Sequence, residues 1–204
     1  MSASPAIVFN NLSTVADRDL VTRAVAGRED GFEELVRRYQ RPIAAYVYRM
    51  VGDYEAALDL TQEVFIKVYN SLRRYRSEFK FSTWIYKIAH NAAVDHLRRY
   101  GARGTTAALT GEYEGEQYEL PLESRRPSPE QESERAERRV EIEQVVRALP
   151  PAYRELVLLR HSHDMSYDEI SEVTGLPLGT VKNRLFRARE TMRQQFIQRG
   201  ITGV

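Results

Sequence analysis

Between residues 101 and 129 this 204-residue chain has almost nothing with which to build a core. The stretch is rich in Gly, Thr, Ser, Pro and Glu and poor in aliphatic residues. Glu112, Glu114, Glu116, Glu119 and Glu123 arrive with no basic residue among them, and Pro121, Pro127 and Pro129 oppose a long helix. Such a composition buries too little apolar surface to offset the entropy of ordering, so it reads as a flexible acidic linker. That one segment divides the chain into an N-terminal tail (1–16), a first block (17–100), the linker (101–129) and a second block (130–204).

Both blocks read as helical. In the first, Leu20, Val21, Ala24 and Val25 open a helix that stops at Gly27. Phe32, Leu35, Val36 and Tyr39 begin a second pattern, which resumes through Ile43, Tyr46, Val47 and Met50 as far as Gly52-Asp53. Ala57, Leu60, Val64, Val68 and Leu72 mark a third helix. A fourth begins near Ser82-Thr83 and carries Trp84, Ile85, Ile88, Ala89, Ala92 and Leu97. The second block starts with a charged helix holding Val140, Ile142, Val145, Val146 and Leu149, stopped by Pro150-Pro151. Another helix follows from about Ala152 to His161. Apolar residues recur every three or four positions and no alternating strand pattern is present, so the expected fold is all-α, two small helical domains.

The segment 166–189 is the most specific. Ile170 and Val173 give a short acidic helix its apolar face, Gly175 supplies a turn, and Gly179-Thr180 opens a second helix. Val181, Leu185, Ala188 and Met192 point that helix inward. Its other face carries Lys182, Asn183, Arg184, Arg187 and Arg189. A helix-turn-helix of this kind lays its second helix in the DNA major groove, where Lys and Arg reach phosphates or guanine edges and Asn can pair with adenine. A merely solvated charged stripe is the plainer reading, but concentration of the cations on one helix after a Gly turn favours DNA. The formal charge of the whole chain is only +1, so this signal lies in the distribution of charge and not in its total.

Two further helices carry polar faces. On the fourth, Thr83, Lys87, Asn91, Val94 and Arg98 are three, four or seven positions apart and form one mostly polar stripe, preceded by the aromatic approach Tyr75, Phe79 and Phe81. Cations that follow a backbone beside aromatic faces that stack on bases suit single-stranded nucleic acid. For the stripe, that reading and a solvated surface both stand; Phe81 and Trp84 fit a core better than a base platform. On the third helix Asp59, Gln62 and Glu63 cluster beside Val64, Phe65 and Val68, which by themselves describe an ordinary amphipathic helix.

Catalysis finds no support. No phosphate-binding Gly loop, nucleophile elbow or paired-carboxylate signature is present. His161-Ser162-His163-Asp164 lacks the i, i+4 arrangement of a zinc helix and a third ligand, so no metal or cofactor is expected. With no cysteine and no apolar run long enough for a bilayer, disulfides and membrane insertion are not expected. The start of the chain lacks the basic and apolar regions of a secretion signal, and a cytoplasmic protein is expected.

The segments 59–69, 79–99 and 166–189, in this order across an acidic linker, resemble those of bacterial RNA polymerase sigma factors of the extracytoplasmic-function group. The resemblance implies an alternative sigma factor without chemistry of its own, which binds core RNA polymerase and directs initiation at promoters. The first block is similar to sigma region 2. Asp59, Gln62, Glu63 and Phe65 match the helix that docks on core polymerase. Phe79, Lys80, Thr83, Lys87, Asn91 and Arg98 fall in the part that takes single-stranded −10 DNA. The second block is similar to region 4. Lys182, Asn183, Phe186 and Arg187 match positions that face the double-stranded −35 element, with Thr180, Arg184 and Arg189 as phosphate contacts. Where housekeeping members carry adjacent tryptophans this chain has Lys87-Ile88, which implies weaker strand opening. The resemblance also implies an anti-sigma factor as a partner. The competing reading is a helix-turn-helix transcriptional regulator that acts independently of polymerase, which leaves segments 59–69 and 79–99 unexplained.

Overall fold

A computed structural model describes the backbone of residues 12–101 and 129–200 and the side chains of 12–100 and 138–200. Residues 102–128, nearly all of the expected linker, lie outside the described residues, as do 1–11. The described residues are helical and divide into two units, the first holding α1–α3 and most of α4, the second built on α5–α8.

In the first unit α1 (Asp17–Val25), α2 (Glu29–Val51) and α3 (Tyr54–Ser71) pack in sequence, followed by α4 (Phe81–Gly101). The interrupted pattern from Phe32 to Met50 is one continuous helix, and Pro42 lies within it without ending it. Its buried residues include Leu35, Ile43, Tyr46, Val47 and Met50. Tyr46 meets Tyr86 of α4 edge to face at 5.4 Å, an arrangement the ring quadrupoles favour. Asp53 caps α3 by accepting the Ala56 N–H at 2.8 Å, supplying one acceptor for the orphan donors of a first turn.

One close approach sets how α1 and α2 meet. A Cβ on Gly31 would stand 2.6 Å from the Leu20 carbonyl oxygen and 2.9 Å from the Arg23 Cβ. Only hydrogen fits there. Nearby, Arg38 gathers the start of the unit: its guanidinium donates to Asp17 at 2.6 Å, to Glu34 at 2.8 Å and to the Leu12 carbonyl at 2.7 Å. Leu12–Thr14 is a 3-10 turn, so part of the segment read as a tail is held against α2. Glu34 is 7% exposed and also takes Arg37. Burial would raise its carboxyl, but hydrogen bonds and charge from Arg37 and Arg38 hold it below the usual carboxylate range.

The second unit comprises α5 (Pro129–Ala148), α6 (Pro151–Val157), α7 (Tyr167–Thr174) and α8 (Leu178–Gln198). Pro129 opens α5 at the first helical position, where its missing N–H costs nothing. Pro150-Pro151 ends α5, and Arg154 of α6 donates to the Arg147 and Leu149 carbonyls at 2.6 and 3.1 Å, satisfying acceptors that the break leaves open. The expected helix from Ala152 to His161 is α-helical only to Val157; Leu158–Ser162 is a π turn. Leu156, Leu159, Ile170, Val181 and Leu185 are buried in this unit.

Two outcomes follow from these contacts. Gly31→Ala should destabilise the first unit by about 1–3 kcal/mol, because the Leu20 backbone cannot yield without moving α1; a urea titration with helix-sensitive detection checks this. A carboxyl held low in the fold adds stability above its unfolded value near 4.5 that is lost as pH falls through the folded value. Acid titration should therefore show stability dropping below about pH 4.5, and Glu34→Gln should flatten that drop while lowering stability at neutral pH.

Candidate polymerase and nucleic-acid interfaces

The helix-turn-helix is built by local rules. Ser166 accepts the Glu169 N–H at 3.2 Å while the Glu169 carboxylate accepts the Ser166 N–H at 2.8 Å, a reciprocal cap that fixes the start of α7. Gly175 ends α7 at φ +70°, a left-handed conformation that a side chain would strain. Ser171 donates to the Leu176 carbonyl at 2.6 Å and closes the turn. On α8, Val181, Leu185 and Ala188 are buried, Met192 is half-buried, and Phe196 extends the buried stripe.

The opposite face of α8 is open. Lys182, Asn183, Phe186, Arg187 and Arg189 are exposed, Phe186 at 70%. Two of the three residues expected at phosphates differ from this set. Thr180 and Arg184 are half-buried, and the charge of Arg184 acts on the buried Glu155. Burial pushes the Glu155 carboxyl up to about 7 against that opposing charge. Arg189 donates to the Tyr167 hydroxyl at 3.4 Å.

On α3 the buried side is Ala57, Leu60, Thr61, Val64 and Val68. Asp59, Gln62 and Glu63 are exposed, and Phe65 is half-buried. Ile66 belongs with them: it lies three and four residues beyond Glu63 and Gln62 and is 61% exposed. Leu58 is also exposed, at 38%. Thus α3 presents carboxylates and an amide beside exposed aliphatic side chains. The sequence reading missed Ile66, because in Val64-Phe65-Ile66 nothing distinguishes the outward residue except its phase.

The third surface runs along α4. Lys87, Asn91 and Arg98 are exposed over a span of about 16 Å along the axis, from a rise of about 1.5 Å per residue. Arg98 pairs with Asp95 at 3.3 Å, a contact easily exchanged at the surface. Thr83 is buried, at 4% exposure, whereas Lys87, Asn91 and Arg98 are exposed. Before α4, Phe79 and Lys80 are exposed on the approach loop. Phe81 is buried and meets Tyr39, Tyr75 and Trp84 at centroid distances of 5.3, 5.6 and 5.6 Å, the core role expected of it, while Trp84 is only half-buried. Among the described residues no group of three His, Asp or Glu could hold a metal ion, and no helix is long and apolar enough to cross a membrane.

These three surfaces coincide with two known protein regions. Residues 35–103 match the family model of Sigma-70 region 2, and residues 139–192 match that of Sigma-70 region 4. The RNA polymerase sigma-H factor of Pseudomonas aeruginosa is 36% identical over 185 residues, covering 89% of this chain and 94% of that protein. The ECF RNA polymerase sigma factor SigW of Bacillus subtilis is 33% identical over 169 residues, covering 83% and 90%. Among solved structures, CnrH in complex with the cytosolic domain of CnrY is similar in fold, with a TM-score of 0.63 at 21% identity, covering 89% of this chain and 97% of that one. The chain belongs to the RNA polymerase sigma factors of the extracytoplasmic-function type.

Proposed function

We propose that this alternative sigma factor divides promoter-directed initiation between its two helical units. The open face of α3, through Asp59, Gln62, Glu63, Phe65 and the added Ile66, docks on core polymerase. Phe79, Lys80, Lys87, Asn91 and Arg98 take the single-stranded −10 element. Lys182, Asn183, Phe186 and Arg187 read the −35 duplex from the major groove, with Thr180, Arg184 and Arg189 nearer the phosphates. The observation that carries this reading is the presence of both region 2 and region 4 in one chain. A regulator acting on duplex DNA alone has no use for the first.

Sigma factors are non-catalytic initiation factors, and here binding energy does all the work. Extracting a base from the duplex costs a few kcal/mol, which contacts made only to the flipped base must offset. With Lys87-Ile88 at the strand-opening position, opening depends on a well-matched −10 element. The domains are assigned as 17–100 and 130–204, joined by 101–129. Action on polymerase and chromosomal promoters supports a cytoplasmic location. CnrH was solved with CnrY, and RpoE of Bartonella quintana with the anti-sigma factor NepR. Those complexes support an anti-sigma partner for this chain.

Binding assays separate the surfaces. On a promoter selected from a randomised library with core polymerase, Arg187→Ala and Lys182→Ala should each weaken −35 recognition, by about 1–3 kcal/mol where the lost contact is to a base. Core-polymerase affinity should be unchanged in both. Gln62→Ala and Ile66→Ala should do the reverse, with thermal melts confirming that each variant is folded. Loss of both activities together in every variant would contradict the division of labour.

A further inference from the structure

The loop ahead of α4 is more tightly organised than its exposure suggests. Leu72–Arg74 forms a 3-10 turn whose end is fixed by the Tyr75 N–H donating to the Leu72 carbonyl at 3.1 Å. From Tyr75 the chain turns through Arg76, Ser77 and Glu78, and the Phe79 N–H donates back to the Arg76 carbonyl at 3.2 Å. The Phe79 carbonyl is held as well: the Tyr75 hydroxyl donates to it at 2.6 Å. Both backbone polar groups of Phe79 are thus tied down, while its side chain remains 45% exposed.

Tyr75 can act as a strut because its own ring is anchored. It packs on Phe81 at 5.6 Å and on Trp84 at 5.4 Å, and Phe81 in turn meets Tyr39 of α2. Burial and the Asp17 charge raise the pKa of the hydroxyl, opposed by Arg18, so it keeps its proton and remains a donor at neutral pH. A phenylalanine would fill the same aromatic space, so packing alone gives no reason for the oxygen.

We infer that Tyr75 is a positioning residue for strand capture: its hydroxyl fixes the Phe79 carbonyl and so presents the Phe79 ring to an unstacked base of single-stranded DNA. This rests on the reading that the segment 79–99 takes the −10 strand. A flexible loop would have to be ordered at the moment of binding, and the Tyr75 bond makes that ordering part of folding.

The test uses the full chain bound to core polymerase and a fluorescent single strand carrying the non-template −10 sequence of a selected promoter. Tyr75→Phe should weaken binding about three- to ten-fold, the cost of ordering one loop side chain at binding instead of during folding, and should lower the Tm by only a few degrees, leaving the variant folded at the assay temperature. The Tyr75→Phe/Phe79→Ala double variant should bind no more weakly than Phe79→Ala alone, because the strut acts only through that ring. A role confined to packing would not produce this non-additivity. Full binding by Tyr75→Phe, or additive losses in the double variant, would overturn the proposal while Phe79→Ala and Asn91→Ala still weaken capture. If Phe79→Ala and Asn91→Ala also bind normally, the strand-capture reading falls, and the role of Tyr75 with it.

Discussion

Burial of one side of α8, through Val181, Leu185 and Ala188, decides which residues the helix turns outward. With those three fixed inward, the 3.6-residue period puts Lys182, Asn183, Phe186 and Arg187 together on the outside. The same constraint operates on α3, where Leu60, Val64 and Val68 inward leave Asp59, Gln62, Glu63 and Ile66 outward. Each face proposed to bind is the reverse of a packed one. The specificity of these surfaces therefore depends on core residues that never touch a partner, and a slip of one residue in the buried stripe would rotate the binding face by about 100°.

Electrostatics works locally in this molecule. A net charge of +1 gives the whole chain little long-range attraction for DNA, so the proposed reading rests on the exposed cations of α8 and α4. Two other arginines are structural. Arg38 holds Asp17, Glu34 and the Leu12 carbonyl together, and Arg154 closes the end of α5. Counting basic residues would therefore overstate the DNA-binding surface. Their neighbours separate the two uses.

The all-α class, the helix-turn-helix and most outward residues were legible in the sequence because they follow from a single period. What escaped it depends on contacts between elements. Thr83 has the spacing of the α4 stripe, yet it is buried, and spacing alone carries no information about what stands opposite. Ile66 reads as core beside Val64 and Phe65, because three adjacent apolar residues fit several phases. The π turn at Leu158–Ser162 shifts the register between α6 and α7, and no residue type announces it. Tyr75 was visible only as one aromatic among several; the bond from its hydroxyl to Phe79 is a property of the folded loop. The acidic segment 101–129, expected to divide the chain, lies almost entirely outside the described residues.

The most direct test is run-off transcription from a selected promoter with purified core polymerase, with and without this protein. Transcripts of defined length should appear only when both are present and should be lost when either promoter element is scrambled. Tight binding of the protein alone to duplex promoter DNA, with no transcript on adding core polymerase, would contradict the account and favour a regulator that works independently of polymerase.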